Sequence, residues 1–190
     1  MLTLERWETE GEISRQERKL HRAFLKLARS FLKEPNGRWL NRNVDLLVAL
    51  KTAYSYVLAS PEGEGAEVEP EDDLLCRVWK FNGFLKETGL FEYAIAGGLD
   101  EDFRDEIERT TAITTFLANV VSAVRSGRLK AGKETYGKVR RLLRRYFDKL
   151  EDLWWDVYAL REAERRRGEG DEPAEETERF LNALLEKHGG

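Results

Sequence analysis

YGKVRRLLRRYFDKLEDLWWDVYAL, residues 136–160, decides the fold. Within it Tyr136, Val139, Leu143, Tyr146, Leu150, Leu153, Val157 and Leu160 recur three and four residues apart. That sustained heptad predicts one long helix with a continuous apolar stripe. A stripe of this length needs apolar partners, and the remaining sequence offers them in helical periods.

Leu20, Phe24, Leu27 and Phe31 mark one face of a helix over residues 13–33, and Glu34-Pro35-Asn36-Gly37 breaks it. Asn41 and Asn43 are candidate N-caps for a second helix running through Leu58. Its Val44, Leu46, Leu47, Val48, Leu50, Tyr54 and Val57 are spread around most sides, which predicts a central position in the bundle. Ser60-Pro61 stops it. Pro70 opens a third helix, with Glu71, Asp72 and Asp73 complementing the dipole of its first turn. Leu74, Val78, Phe81 and Leu85 form its buried face, and Gly89 is the expected C-cap. A short apolar piece, Leu90 to Ala96, follows. Asp100 caps a fourth helix that carries Phe103, Ile107, Thr114, Leu117, Val121 and Val124 and ends at Gly127. The long fifth helix gives way at Gly168-Glu-Gly170, and Pro173 starts a terminal helix with Phe180, Leu181, Leu184 and Leu185.

No segment alternates as a strand. The expected fold class is all-α: a compact bundle of about five main helices plus a C-terminal helix, with no sheet. The expected organisation is an N-terminal arm over 1–11, a helical bundle over 12–167 with an acidic flexible loop at 61–69, and a linker with a C-terminal helix over 168–190.

Charge is sorted into blocks. Residues 15–42 carry nine Lys/Arg against two acids, residues 125–149 carry ten against two, and residues 61–108 carry fifteen acids against four bases. The overall charge of −4 hides this segregation. Arg15, Lys19, Arg22, Lys26 and Arg29 step at i+4 and i+3, so they form one cationic ridge on the first helix. Lys138, Arg141 and Arg145 share one flank of the fifth helix, and Arg140 and Arg144 another. Guanidinium groups one turn apart can meet successive phosphates and displace their counterions. The competing reading is that internal or partner carboxylates neutralise them. The charged fraction of 36%, with one Met and one Cys, matches proteins from hot environments, where ion-pair networks gain weight.

Other chemistry is sparse. Gly127-Arg-Leu-Lys-Ala-Gly132-Lys133 follows the first seven positions of a phosphate-binding P-loop, but Glu134 stands where Ser or Thr must hold magnesium. Lys130 and Lys133 nevertheless flank the expected start of the fifth helix, where free N–H groups attract phosphate. Asp102 and Glu106 lie one turn apart and could flank a divalent cation; dipole capping by first-turn acids is the stronger reading. Cys76 is alone, so an intramolecular disulfide is excluded, and it reads as a buried structural thiol. Arg15 and His21, with five residues between them, resemble the Arg/His pair of helical HEPN ribonucleases, without a neighbouring polar motif. Trp154 and Trp155 are about 100° apart on a helix and cannot both face the core. Trp155, with Glu151, Asp152 and Asp156 around it, reads as a protein-partner contact.

In size, helical character and charge the chain is similar to the small helical subunits of CRISPR effector complexes, a similarity of gross character rather than of motif. The resemblance implies a non-enzymatic nucleic-acid-binding subunit. The expected partners are therefore a nucleic-acid backbone, bound through the first and fifth helices, and a protein partner or second copy. The alternative is an interaction or scaffold module that self-associates or docks on a larger complex without nucleic acid. No cofactor, metal or catalytic constellation is expected. With no apolar run long enough to span a membrane and no signal-peptide layout at the N-terminus, cytoplasmic residence is the expectation.

Overall fold

A computed structural model describes residues 15–54, 73–96 and 99–168, together with positions 179 and 183. Among the described residues the fold is an all-α bundle without strands. Its helices are α1 (Arg15–Lys33), α2 (Gly37–Arg42), α3 (Val44–Tyr54), α4 (Asp73–Glu87), α5 (Leu90–Ile95), α6 (Glu101–Arg125) and α7 (Lys133–Gly168). The expected arm, acidic loop and most of the terminal helix lie outside the described residues, as do Pro70 and Ser60-Pro61.

Local chemistry sets several of these boundaries. The Asp100 side chain accepts from the Asp102 N–H at 3.1 Å and so caps α6. Gly127 ends α6 with φ of 80°, and the Arg128 N–H reaches back to the Ala123 carbonyl at 2.9 Å. Gly89 turns the chain from α4 to α5 with φ of 69°. A side chain at either position would cost roughly 1–2 kcal/mol of left-handed strain.

Two expectations about the second helical segment are corrected. A short helix, α2, precedes it: Asn36 is the N-cap, accepting from the Trp39 N–H at 2.9 Å. Asn41 therefore lies inside a helix and caps nothing. Asn43 sits at the α2–α3 joint, where its side-chain amide donates to the Trp39 carbonyl at 2.8 Å and so closes α2. The helix that follows is not central either. Leu47 and Leu50 of α3 are buried, but Leu46 is 55% exposed.

The central element is α6. From Ala112 to Val121 every residue is buried, including Thr114, Thr115 and Asn119. A polar group can be buried there because the preceding turn satisfies it: Thr114 donates to the Thr110 carbonyl at 2.7 Å and Asn119 to the Thr115 carbonyl at 2.8 Å. Helix α7 packs along α6 over its length, and α3 packs on another side.

The core has two parts, and α7 belongs to both. In the first, the rings of Phe24, Phe31 and Trp39 gather on Phe116 at centroid distances of 5.9, 5.6 and 5.8 Å. Val139, Leu143 and Phe147 of α7 close that cluster. In the second, Leu85, Leu90, Phe103 and Ile107 meet Leu150, Leu153, Trp154 and Val157. The buried face of α7 is thus wider than the heptad, since Phe147 and Trp154 are buried and Tyr136, Tyr146 and Leu160 only half-buried.

Candidate nucleic-acid interface

The α1 ridge is placed by the α1 core face. Phe24, Ala28 and Phe31 are buried, and at 3.6 residues per turn the opposite side holds Lys19, Arg22, Lys26 and Arg29. All four are exposed. Arg15 opens α1, but its side chain is outside the described residues. The same i+4 step continues from Arg29 to Lys33, also exposed, a member of the ridge that the sequence reading omitted.

Helix α7 repeats this geometry. Its buried Val139, Leu143 and Phe147 direct Lys138, Arg141, Arg144 and Arg145 outward, and all four are exposed; Arg140 is half-buried. Lys138 pairs with Glu134 one turn earlier at 3.3 Å, and Arg140 also has an interaction of its own. Among the described residues no carboxylate forms an ion pair with Arg141, Arg144 or Arg145, nor with Lys19, Arg22, Lys26 or Arg29. The acidic block reaches the basic ones at Glu106, which pairs with Lys149 at 3.2 Å. Such exposed pairs contribute on the order of 0–1 kcal/mol and leave the arginine row in water.

The start of α2, just after the α1 ridge, meets α7. Gly37 lies against Tyr146 of α7, close enough that a methyl group there would sit 3.6 Å from the Tyr146 hydroxyl. Lys33 and Arg38, both exposed, flank Gly37 along the chain. Sequence periodicity could not reveal this, because the approach depends on α1 and α7 both packing around Phe116.

The remaining candidates fall into place around this surface. Lys130 and Lys133 are exposed in the α6–α7 connection and at the first position of α7. The P-loop-like stretch follows a helix, and the Gly132 carbonyl accepts from the Tyr136 N–H at 2.9 Å, an ordinary helix start. Among the described residues no group of His, Cys, Asp and Glu has the geometry to hold a metal ion. Asp100 acts as a cap, and Glu106 is engaged with Lys149. Cys76 is half-buried, more open than expected. His21 is half-buried on α1. Among the described residues no helix is long and apolar enough to cross a membrane.

At the far end of α7, Trp154 is buried at 3% exposure and Trp155 stands 51% exposed. Trp155 is bordered by the rings of Phe84 and Tyr158, at 5.9 and 5.7 Å. Nearby, burial pushes the Tyr93 hydroxyl up to about 12, and the facing Glu164 carboxylate adds to the shift while Arg161 opposes it. On α3, burial lowers the pKa of Lys51, and Glu108 partly offsets this.

Comparisons with protein families, with characterised proteins and with solved structures find no significant match for this chain. Its functional reading therefore rests on the residues themselves.

Proposed function

We propose that this protein is a non-enzymatic helical subunit that binds a nucleic-acid backbone through the outward faces of α1 and α7. One observation carries the reading. Seven cations at helical spacing, Lys19, Arg22, Lys26, Arg29, Arg141, Arg144 and Arg145, have no carboxylate partner among the described residues. Unneutralised guanidinium groups a turn apart suit phosphate oxygens, and release of counterions from the polyanion drives the association. Such contacts read the backbone and not the bases, so binding is expected on RNA and DNA of any sequence.

Reversal of Arg141, Arg144 and Arg145 to Glu tests this. The triple variant is expected to lose about 100-fold or more in affinity for a fluorescent oligonucleotide at roughly 50 mM salt. Unchanged affinity would remove the proposal.

A second reading is favoured by Trp155, a large aromatic side chain half open to solvent. It is the kind of anchor that protein interfaces use. On that reading the chain docks on a protein partner or on a second copy of itself. A mass that stays monomeric at all concentrations, and is unaffected by Trp155→Ala, would exclude self-association.

A further inference from the structure

We infer that this protein pairs with a second copy of itself through the outward face of α7, the two helices running antiparallel, with Arg141 and Arg145 of each copy facing Asp152 and Asp148 of the other. The inference rests on the self-association reading above and gives it a face and a register.

Arg141, Arg145, Asp148 and Asp152 lie within about 60° of one another around α7, opposite the buried Val139, Leu143, Leu150 and Val157. All four are exposed. Asp148 stands within about one turn of Arg144 and Arg145. Yet among the described residues neither Asp148 nor Asp152 forms an ion pair, and neither does Arg141 or Arg145. The adjacent Lys149 and Glu151 are instead drawn sideways, to Glu106 of α6 at 3.2 Å and to Arg77 of α4 at 2.9 Å. Helices α6 and α4 therefore flank this face and leave it open.

The order of charge along the face selects the partner. It runs Arg, Arg, Asp, Asp towards the C-terminus. A parallel copy in register would set like charge against like. An antiparallel copy sets every arginine against an aspartate. Arg141 and Arg145 lie as far before the point between residues 146 and 147 as Asp152 and Asp148 lie after it. One two-fold axis through that point makes all four ion pairs at once, which is the self-complementarity an isologous interface requires. Shifted registers bring like charges together, so the pairs fix the register.

The same axis accounts for a second feature. Gly137 and Trp155 lie on one line of α7, about five turns apart, and nearly equidistant from the axis. Glycine inside a helix is unfavourable relative to alanine, and nothing in the monomer exploits the missing side chain. Among the described residues only the Arg141 guanidinium comes within 4 Å of a Cβ built at Gly137, at 3.8 Å. In the dimer the indole of Trp155, 51% exposed in the single chain, covers Gly137 of the other copy. The ring supplies apolar contact at each end of the interface, and the ion pairs lie between. Arg141 and Arg145 cannot hold a phosphate and an aspartate together, so dimer and polyanion exclude each other.

The test is the mass of the full chain by sedimentation at about 100 μM protein and roughly 50 mM salt, where charge pairs are weakly screened. The parent is expected at the mass of two chains. Arg141→Glu with Arg145→Glu makes the face wholly acidic, and Asp148→Lys with Asp152→Lys makes it wholly basic. Each of these variants alone should associate at least about tenfold more weakly. An equimolar mixture of the two should regain the two-chain mass, and so should the chain carrying all four substitutions, which also shows that the variants remain folded. A monomeric parent would overturn both this inference and the self-association reading. A dimeric parent that is indifferent to the charge reversals, or whose mixture and fourfold variant stay monomeric, would overturn the α7 register while leaving self-association in place. Assemblies larger than two chains would overturn it as well, because a two-fold interface closes at two.

Discussion

The two halves of α7 share one apolar stripe and differ in charge outside it: residues 133–150 carry seven Lys/Arg against two acids, and residues 151–168 carry four against five. In the first half Val139, Leu143 and Phe147 are buried while Arg141, Arg144 and Arg145 face water. In the second half Leu153, Trp154 and Val157 are buried while Asp152 and Trp155 face water. The bundle needs only the stripe; alternating or mixed charges outside it would fold equally well. The segregation is therefore not demanded by the fold, and it separates a cationic half from a half of mixed charge that exposes Trp155.

The largest expected effect tests the shared part of this contrast. Leu143→Ala and Leu153→Ala each delete a buried side chain, and each should cost about 2–5 kcal/mol in urea unfolding. If one substitution proves costless, the stripe does not run through both halves. Next comes the unshared part. Asp152→Lys in the second half should leave oligonucleotide affinity equal or higher, opposite in sign to the arginine reversal in the first. Fluorescence anisotropy measures both, and a loss of affinity in the aspartate variant would break the contrast.

Two smaller effects sharpen it. Gly137 lies in the basic half, and a methyl group there would make ordinary contact with the Arg141 guanidinium at 3.8 Å. Gly137→Ala should then stabilise the protein by about 0.5–1 kcal/mol through helix propensity, seen as a higher Tm. Against the other half packs Tyr93 of α5, whose folded-state pKa is raised from 10.0 to about 12 by burial and by Glu164. Its protonated form is the one the fold favours. The associated stability is complete below pH 10 and is lost as pH rises toward 12. Tyr93→Phe should flatten that part of the pH–stability curve, and an identical slope in the variant would refute the assignment.

Local chemistry made much of the fold legible before the structure. Asp100, Gly89 and Gly127 announced their turns because capping and left-handed backbone depend on one residue and its neighbours. The heptad of α7 was visible because its period persists over many turns. Helix α2 was not, since six residues hold too little periodicity; Trp39 packs on Phe31, eight residues earlier, and on Phe116, which is distant in sequence. Hydropathy also favoured α3 over α6 as the centre. Thr114 and Asn119 look like surface residues until their hydrogen bonds to the preceding turn are seen. For the candidate interface, periodicity located each ridge and its outward direction. The meeting of Gly37 with Tyr146 was beyond it, because that contact is a property of how two helices share a third.

The central claim is that the exposed arginines and lysines hold a polyanion by displacing its counterions. Its most direct measurement is affinity for a duplex oligonucleotide as salt rises from roughly 50 to 200 mM. With about six phosphates engaged, log K against log salt should fall with a slope of about −5, and reversal of Arg141, Arg144 and Arg145 should bring the slope to about −2 or −3. A parent protein whose affinity is flat across that range would contradict the account.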